Sequence, residues 1–335
     1  MRKFIVLLTC CHLLESDALL SDTLALKGGT AINLTIFDLP RLSVDIDMDY
    51  SKDVPREAML SERERITDHI RKNMTAGGYS LSQKSRMHHA LDSFVFEYVN
   101  AGGMRDNLKI EINYMLRCHV FPVTRRVVSL PWNEKKITVL SVDPMEIFSA
   151  KTVALVNRSA ARDLYDMFNL QKHGLFDKLQ ETVFKKCIMF YFAIASESVP
   201  EHFDFSRIGN ISAQKVKTDL TPVLRRTEHF DFLTAKTKVE EYLRRVLLPE
   251  DNLSFWSAFA KGDYKPELLF DDSEILSKIA ERGSHCRGEG PCRCQRNRRR
   301  FGGQSCLNPH ISLAQSRFCL QDGFFCLKSL KKRHP

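Results

Sequence analysis

Between Arg41 and Met48 the chain alternates. Ser43, Asp45 and Asp47 fall on one side and Leu42, Val44, Ile46 and Met48 on the other, the period of two that a half-buried strand requires. Upstream, apolar positions from Ile5 through Leu13, Leu14, Leu19 and Leu20 recur at helical spacing and predict one amphipathic helix over residues 5–20. The apolar run Leu24-Ala25-Leu26 then stops at Lys27-Gly28-Gly29-Thr30 and gives way to a second helical pattern, which reads as strand, glycine turn, helix. Ser61 to Met74 predicts a charged amphipathic helix ending near Gly77-Gly78. Strands are expected at 93–100 and 108–114 around an Ala-Gly-Gly turn, the second placing Lys109, Glu111 and Asn113 opposite Ile110, Ile112 and Tyr114.

A strand at 137–142 runs into Asp143-Pro144-Met145-Glu146. There Asp reads as an N-cap, Pro as the first helical residue and Glu as the residue three beyond the cap. From this point the pattern is helical, with helices expected at 144–157, 160–170, 176–197, 237–248 and 272–280. Strands mixed with helices, followed by helices alone, predict an α+β fold. The expected division is an α+β domain over residues 1–145, a helical domain over 146–283 and a tail over 284–335.

Length and a 43% hydrophobic content allow a substantial core in one or two domains. The formal charge of +9 points to nucleic acid or an anionic membrane only until its distribution is seen. Eleven Lys and Arg against Glu289 and Asp322 lie between Ser284 and Pro335, so the tail carries the entire excess and the body is neutral. Six of the ten cysteines share that tail (Cys286, Cys292, Cys294, Cys306, Cys319, Cys326), whereas Cys10, Cys11, Cys118 and Cys187 are scattered, as in a reduced cytoplasmic protein. The spacing of Cys286, Cys292 and Cys294 matches no zinc module, and the tail is expected to be a poorly ordered, non-native extension with at most non-specific RNA affinity. Arg2 and Lys3 before Phe4–Cys11 resemble a secretory leader, but the run ends at His12 with no small-residue cleavage site and reads instead as the first helix. No stretch approaches the ~20 apolar residues of a membrane span. The expected location is the cytoplasm, with no membrane partner.

Two features carry chemistry. Asp45 and Asp47, two apart on a strand, project their carboxylates the same way, a placement that is costly unless a cation lies between them. Oxygen donors of this kind suit Mg²⁺, which one or two carboxylates hold together with substrate phosphates. Alone, an Asp-x-Asp is more often a solvated strand face. Gly28-Gly29-Thr30 at a helix start changes that, because glycine lets the backbone approach a ligand and the helix N-terminus offers N–H groups to a triphosphate.

The run Leu26-Lys27-Gly28-Gly29-Thr30-Ala31-Ile32-Asn33-Leu34, followed by Arg41-Leu42-Ser43-Val44-Asp45-Ile46-Asp47, resembles motif I of the AbiEii/AbiGii toxin family. Lys109-Ile110-Glu111-Ile112-Asn113-Tyr114 and the block from Ala150-Lys151 through Arg158 to Asp163-Leu164-Tyr165-Asp166 add to the resemblance, which spans roughly residues 10–282. It implies a nucleotidyltransferase with a DNA polymerase β-like fold, moving a nucleotide from a nucleoside triphosphate to an acceptor, the 3′ end of tRNA in some members. It also implies a separately encoded antitoxin. By motif position, Asp45 and Asp47 would hold Mg²⁺ in a two-metal site, Ser43 would orient the triphosphate, Lys151 would contact its phosphates, and Asp163 would be a further catalytic carboxylate. Lys27, Gly28, Gly29, Thr30, Arg41, Arg158 and Arg162 would bind the nucleotide.

Each assignment has a plainer alternative. Glu111 is either a third metal ligand or the partner of Lys109 or Arg117. Lys151 is either a phosphate ligand or a surface lysine; on a continuous helix Arg158 and Arg162 would share its face as a basic stripe. Asp163 and Asp166 are either catalytic or paired with Arg158 and Arg162 to lock two helices together. His88, His89, His119 and His202 show no ligand spacing. Function remains open between transfer to RNA, transfer to a small molecule or protein, and a nucleotide-binding protein that has lost turnover.

Overall fold

A computed structural model describes residues 2–37, 40–43, 45–100, 102–114, 119–128, 136–195, 203–247, 253–261 and 263–279. The tail expected over 284–335 lies outside the described residues, as do Arg117, Cys118 and His202. The N-terminal pattern forms two helices, α1 (Arg2–Ser16) and α2 (Ala18–Thr23), instead of one. Asp17 makes the break: its side chain caps α2 by accepting from Leu19 N at 3.0 Å and Leu20 N at 3.2 Å. Leu7, Cys10, Cys11 and Leu20 lie in the core.

Strand β1 (Leu24–Lys27) leads through the glycine turn into α3 (Gly28–Ala31), which continues as a π-helical segment, Ile32–Ile36. Strand β2 (Asp45–Tyr50) starts later than its alternation suggests, leaving Ser43 just before it and not on it. Helix α4 (Arg56–Ala76) starts directly after Pro55, earlier than Ser61. Its buried residues Met59, Ile66, Ile70 and Met74 keep the 3–4 spacing of a core-facing stripe. Short strands β3 (Ser80–Leu81) and β4 (Arg86–Met87) precede the long antiparallel pair β5 (Leu91–Val99) and β6 (Arg105–Asn113), the hairpin expected from the Ala-Gly-Gly turn. Strands β7 (Thr124–Val127) and β8 (Thr138–Ser141) complete the sheet.

Among the described residues eight strands form one mixed sheet in the order β3-β5-β6-β2-β1-β8-β7, with β4 added to β5. Helices α1, α2 and α4 pack on one another and against β8 and β3. The Met48 and Tyr50 face of β2 looks toward α4, where Tyr50 donates to Glu62 at 2.6 Å. The opposite face presents Asp45, Asp47 and Asp49. It is not a solvated face: Asp47 and Asp49 are both buried.

After Val142 the described chain is helical: α5 (Pro144–Arg158), α6 (Ala161–Lys172), α7 (Lys178–Ala195), α8 (Ser206–Gly209), α9 (Ala213–Lys215), α10 (Phe232–Val246), α11 (Leu253–Ala260) and a last helical stretch over 273–279. Asp143 caps α5 as expected, accepting from Met145 N at 2.8 Å, with Pro144 at the first position. Glu146 does not close a capping box. It is buried in the core, accepting from Val120 N and Phe121 N at 3.0 Å each and from the Tyr191 hydroxyl at 2.7 Å, and so ties α5 to α7 and to the loop before β7. Helix α10 starts before the expected Thr237 because Asp231 caps it, accepting from Leu233 N and Thr234 N. Leu42 N donates to Val223 O at 2.7 Å and Arg41 bridges Leu224, so a helical-half segment lies beside the approach to β2. Among the described residues no helix is long and apolar enough to cross a membrane.

Candidate active site

Strand pairing assembles the first part of the site. Strand β2 runs parallel to β6 in the register Asp45↔Lys109, Asp47↔Glu111 and Asp49↔Asn113, and antiparallel to β1 with Lys27 opposite Asp47. Residues opposite one another in a sheet share a face, so Asp45, Asp47, Asp49, Lys109, Glu111 and Lys27 all project to one side. Two ion pairs form within this group, Lys27 to Asp49 at 2.6 Å and Lys109 to Glu111 at 2.8 Å.

The glycine turn closes over it. Gly28 has φ +66°, the left-handed region that glycine alone adopts freely, and a Cβ there would lie 2.8 Å from Asp47 Oδ2. A Cβ on Gly29 would lie 2.6 Å from a guanidinium nitrogen of Arg41 and 3.3 Å from Ser43 Oγ. Both glycines are therefore needed to bring the backbone against Asp47, Arg41 and Ser43. Thr30 Oγ1 donates to Asp45 O, and Asn33 Nδ2 to Gly29 O. Asn33 Oδ1 also accepts from Arg41 N, at 3.3 Å, which fastens the turn to the strand approach.

A buried cluster of opposite charges forms the third part. Arg41, 2% exposed, donates from Nε and Nη2 to both carboxylate oxygens of Asp166 at 2.8 and 2.7 Å. Lys151 lies 2.9 Å from Asp163 and 3.0 Å from Asp166, and Arg158 donates to both oxygens of Asp163 at 2.7 and 2.9 Å. The basic stripe that a continuous helix would give is not formed, because the chain makes the two separate helices expected at 144–157 and 160–170. Ser159 adopts φ 52° and ends α5, so Arg162, half-buried in α6, no longer continues the Lys151–Arg158 face. Lys151 is a buried residue, not a surface lysine.

Electrostatics separates the two carboxylate groups. Burial, with the neighbouring charges of Glu111 and Asp45, pushes Asp47 up to about 7, against partial relief from Lys27 and Lys151. For Asp163, burial acts upward, but Lys151 and Arg158 outweigh it and hold the carboxyl well below the usual range. Asp166 is likewise lowered, by Arg41 and Lys151 against burial. Asp163 and Asp166 are thus matched by cations, whereas the Asp45, Asp47 and Glu111 group is short of positive charge. All-oxygen, partly unmatched carboxylates against a turn with no side chain are a donor set that fits Mg²⁺. Among the described residues no three His, Cys, Asp or Glu side chains converge as a ready-made metal site. Mg²⁺ in phosphate chemistry needs only one or two carboxylates, with substrate oxygens supplying other ligands.

The family described as nucleotidyl transferase AbiEii toxin, of type IV toxin-antitoxin systems, matches residues 12–260. The chain belongs to this family. It is an AbiEii-type nucleotidyltransferase, and membership brings a nucleotide substrate and an antitoxin. Its fold is similar to that of MenT4, a nucleotidyltransferase toxin from Mycobacterium tuberculosis H37Rv, with a TM-score of 0.54 and 17% identity over 83% of this chain and 90% of that one. At that identity the likeness is one of fold. The CdnC:HORMA-deltaN complex of E. coli MS115-1 aligns over 82% of this chain and 89% of that one at 14% identity, with a TM-score of 0.22 that is too low to equate the two folds. No curated protein matches the chain.

Two residues of this AbiEii site were given no role from the sequence, Asp49 and Asn33, whereas the Lys109 partner offered for Glu111 is the one the structure has. Asp49 had a signal, since it continues the Asp45, Asp47 alternation by one more step. Asn33 lies within the motif run over residues 26–34, but nothing local in that run shows that it fastens the glycine turn. The glycine turn yields a direct expectation. Gly28→Ala should lower nucleotide transfer about 10²-fold, because its Cβ displaces the Asp47 carboxylate. Gly78, at φ +85° with nothing within 4 Å, is the control. Gly78→Ala shares the backbone cost of roughly 1–2 kcal/mol but should keep full transfer, and equal losses in both variants would remove the turn from the site.

Proposed function

We propose that this AbiEii enzyme transfers a nucleotidyl group from a nucleoside triphosphate to an RNA acceptor, the 3′ end of tRNA, releasing pyrophosphate. The observation that carries the reading is the Asp45, Asp47 and Glu111 face, short of counter-charge, packed against the Gly28-Gly29 turn. In this reading residues 1–145 form a DNA polymerase β-like domain and residues 146–283 a helical domain that completes the site.

Asp45 and Asp47 would hold Mg²⁺, with Glu111 as ligand to a second cation. When bound, the metal supplies charge neutralisation to the phosphates and to the attacking hydroxyl. The acceptor oxygen bonds to the α-phosphorus, the α–β phosphoanhydride breaks, pyrophosphate leaves and the hydroxyl proton is lost to water. This chemistry asks the protein chiefly for positioning and electrostatics. Gly28, Gly29 and Thr30 let the triphosphate lie against backbone, and Ser43 orients it from beside Gly29. Lys151 meets the phosphates while Asp163 fixes its ammonium. Lys27, Arg41, Arg158 and Arg162 supply the surrounding positive field, Arg41 and Arg158 from within their ion pairs. The RNA acceptor rests on the family resemblance, because the body of the chain carries no net positive charge.

The test is incubation of the purified protein with Mg²⁺, each α-labelled nucleoside triphosphate and total tRNA. Label should enter the tRNA with one or more of the nucleotides, and should be lost with EDTA and in Asp45→Ala. Label entering the protein or a small molecule instead would reassign the acceptor. No transfer, or transfer undiminished in Asp45→Ala, would overturn the reading.

A further inference from the structure

On β6, Lys109 and Glu111 are two residues apart and lie beside Asp45 and Asp47 on β2. The Lys109 ammonium sits 2.8 Å from Glu111 Oε1, with the lysine side chain 28% exposed and the Glu111 side chain 9% exposed. Across the strand pair Asp45 stands opposite Lys109 and Asp47 opposite Glu111. The other lysine at the sheet face, Lys27, is held by Asp49, which is not a proposed metal ligand. Lys109 is therefore the cation already seated on the carboxylate that a second divalent ion would use, in register with Asp45.

We propose that Lys109 is a tethered competitor for the second of two divalent cations: its ammonium must leave Glu111 before that carboxylate can accept metal. The inference rests on the metal reading of Asp45, Asp47 and Glu111. The first cation binds through Asp45 and Asp47 with Lys109 in place. The second enters only by displacing a positive charge already held at close range, so the two sites fill unequally. The flexible four-carbon stem and partial exposure of Lys109 give the ammonium an outward path. It is a positioning residue, acting on the site through Glu111.

Mn²⁺ binding to the full chain, followed by the free-Mn²⁺ electron paramagnetic resonance signal, tests this without reading activity. Wild type should show two classes of site, and Lys109→Met should tighten the weaker class by about tenfold or more, the scale of one unit charge at this range. The stronger class should change much less, and Lys109→Arg, which keeps the charge, should behave as wild type. Glu111→Gln should remove the weaker class. A Lys109→Met protein that is folded by circular dichroism yet binds Mn²⁺ with wild-type affinities at both classes overturns the proposal. The underlying metal reading fails separately if Asp45→Ala binds as many Mn²⁺ ions, as tightly, as wild type.

Discussion

Asp47→Asn is expected to abolish nucleotide transfer and, at the same time, to make the metal-free protein more stable at pH 8. The loss should be on the order of 10³-fold, because the charge stabilisation a metal ligand helps provide is worth several kcal/mol. The gain follows from linkage. Burial and the charges of Glu111 and Asp45 raise the folded-state pKa of Asp47 to about 7, above its ordinary value of 3.8. Between those two values the folded chain keeps a proton that the unfolded chain has released, so rising pH favours unfolding, and above about 7 the whole penalty is present. Its size is on the order of a few kcal/mol. An amide at position 47 removes it, and the melting temperature at pH 8 without metal should rise by roughly 5 °C. At pH 4 the two proteins should melt together. Mg²⁺ should stabilise wild type at pH 8 and leave Asp47→Asn little changed. Thermal melts at the two pH values decide the matter: a variant less stable than wild type at pH 8 would mean that Asp47 is not held in an unfavourable cluster.

Arg41→Ala should destabilise the fold by about 3–5 kcal/mol, the cost of leaving a buried charge without its partner. Both carboxylate oxygens of Asp166 are bound by Arg41, and after its loss Asp166 keeps only Lys151, which it shares with Asp163, while Arg158 stays on Asp163. Because the pair joins residues 125 apart in sequence, unfolding should become easier for the sheet and the helices together. Urea unfolding measures the change. Arg41→Met combined with Asp166→Leu should recover much of the loss, since an apolar pair of similar bulk carries no stranded charge. A single-variant cost below ~1 kcal/mol would rule out this pair as a fastening between the two halves. The acid limb carries a second signature. Asp163 and Asp166 are held below the ordinary carboxylate range, so their contribution is present above it and is lost as pH falls through their folded-state values. Arg41→Ala should therefore narrow its stability difference from wild type in acid.

Elements with a local cause could be read before folding. The hairpin from Leu91 to Asn113 follows from two alternating runs around a glycine turn, and the start of α5 from Asp143-Pro144. The Asp45 and Asp47 pair was visible because a strand's period of two is a property of neighbouring residues. Where the structure departs from these patterns, a local rule met a competing contact. Asp17 split the first helix by capping its second half. Glu146, placed where a capping box predicts it, went to the core instead, because two loop N–H groups and the Tyr191 hydroxyl lie within its reach.

By itself the sequence determined the α+β order, the carboxylate strand, the glycine turn and the family they belong to, because each is a pattern of near neighbours. Only the tertiary structure decided how those charges are matched. Lys27 on Asp49 follows from strand register, and Arg41 on Asp166 from packing the helices against the glycine turn. The physical reason is range. Periodicity and capping act over a few residues, whereas the charge at Asp47 is set by burial and by groups brought from β1, β6 and α5.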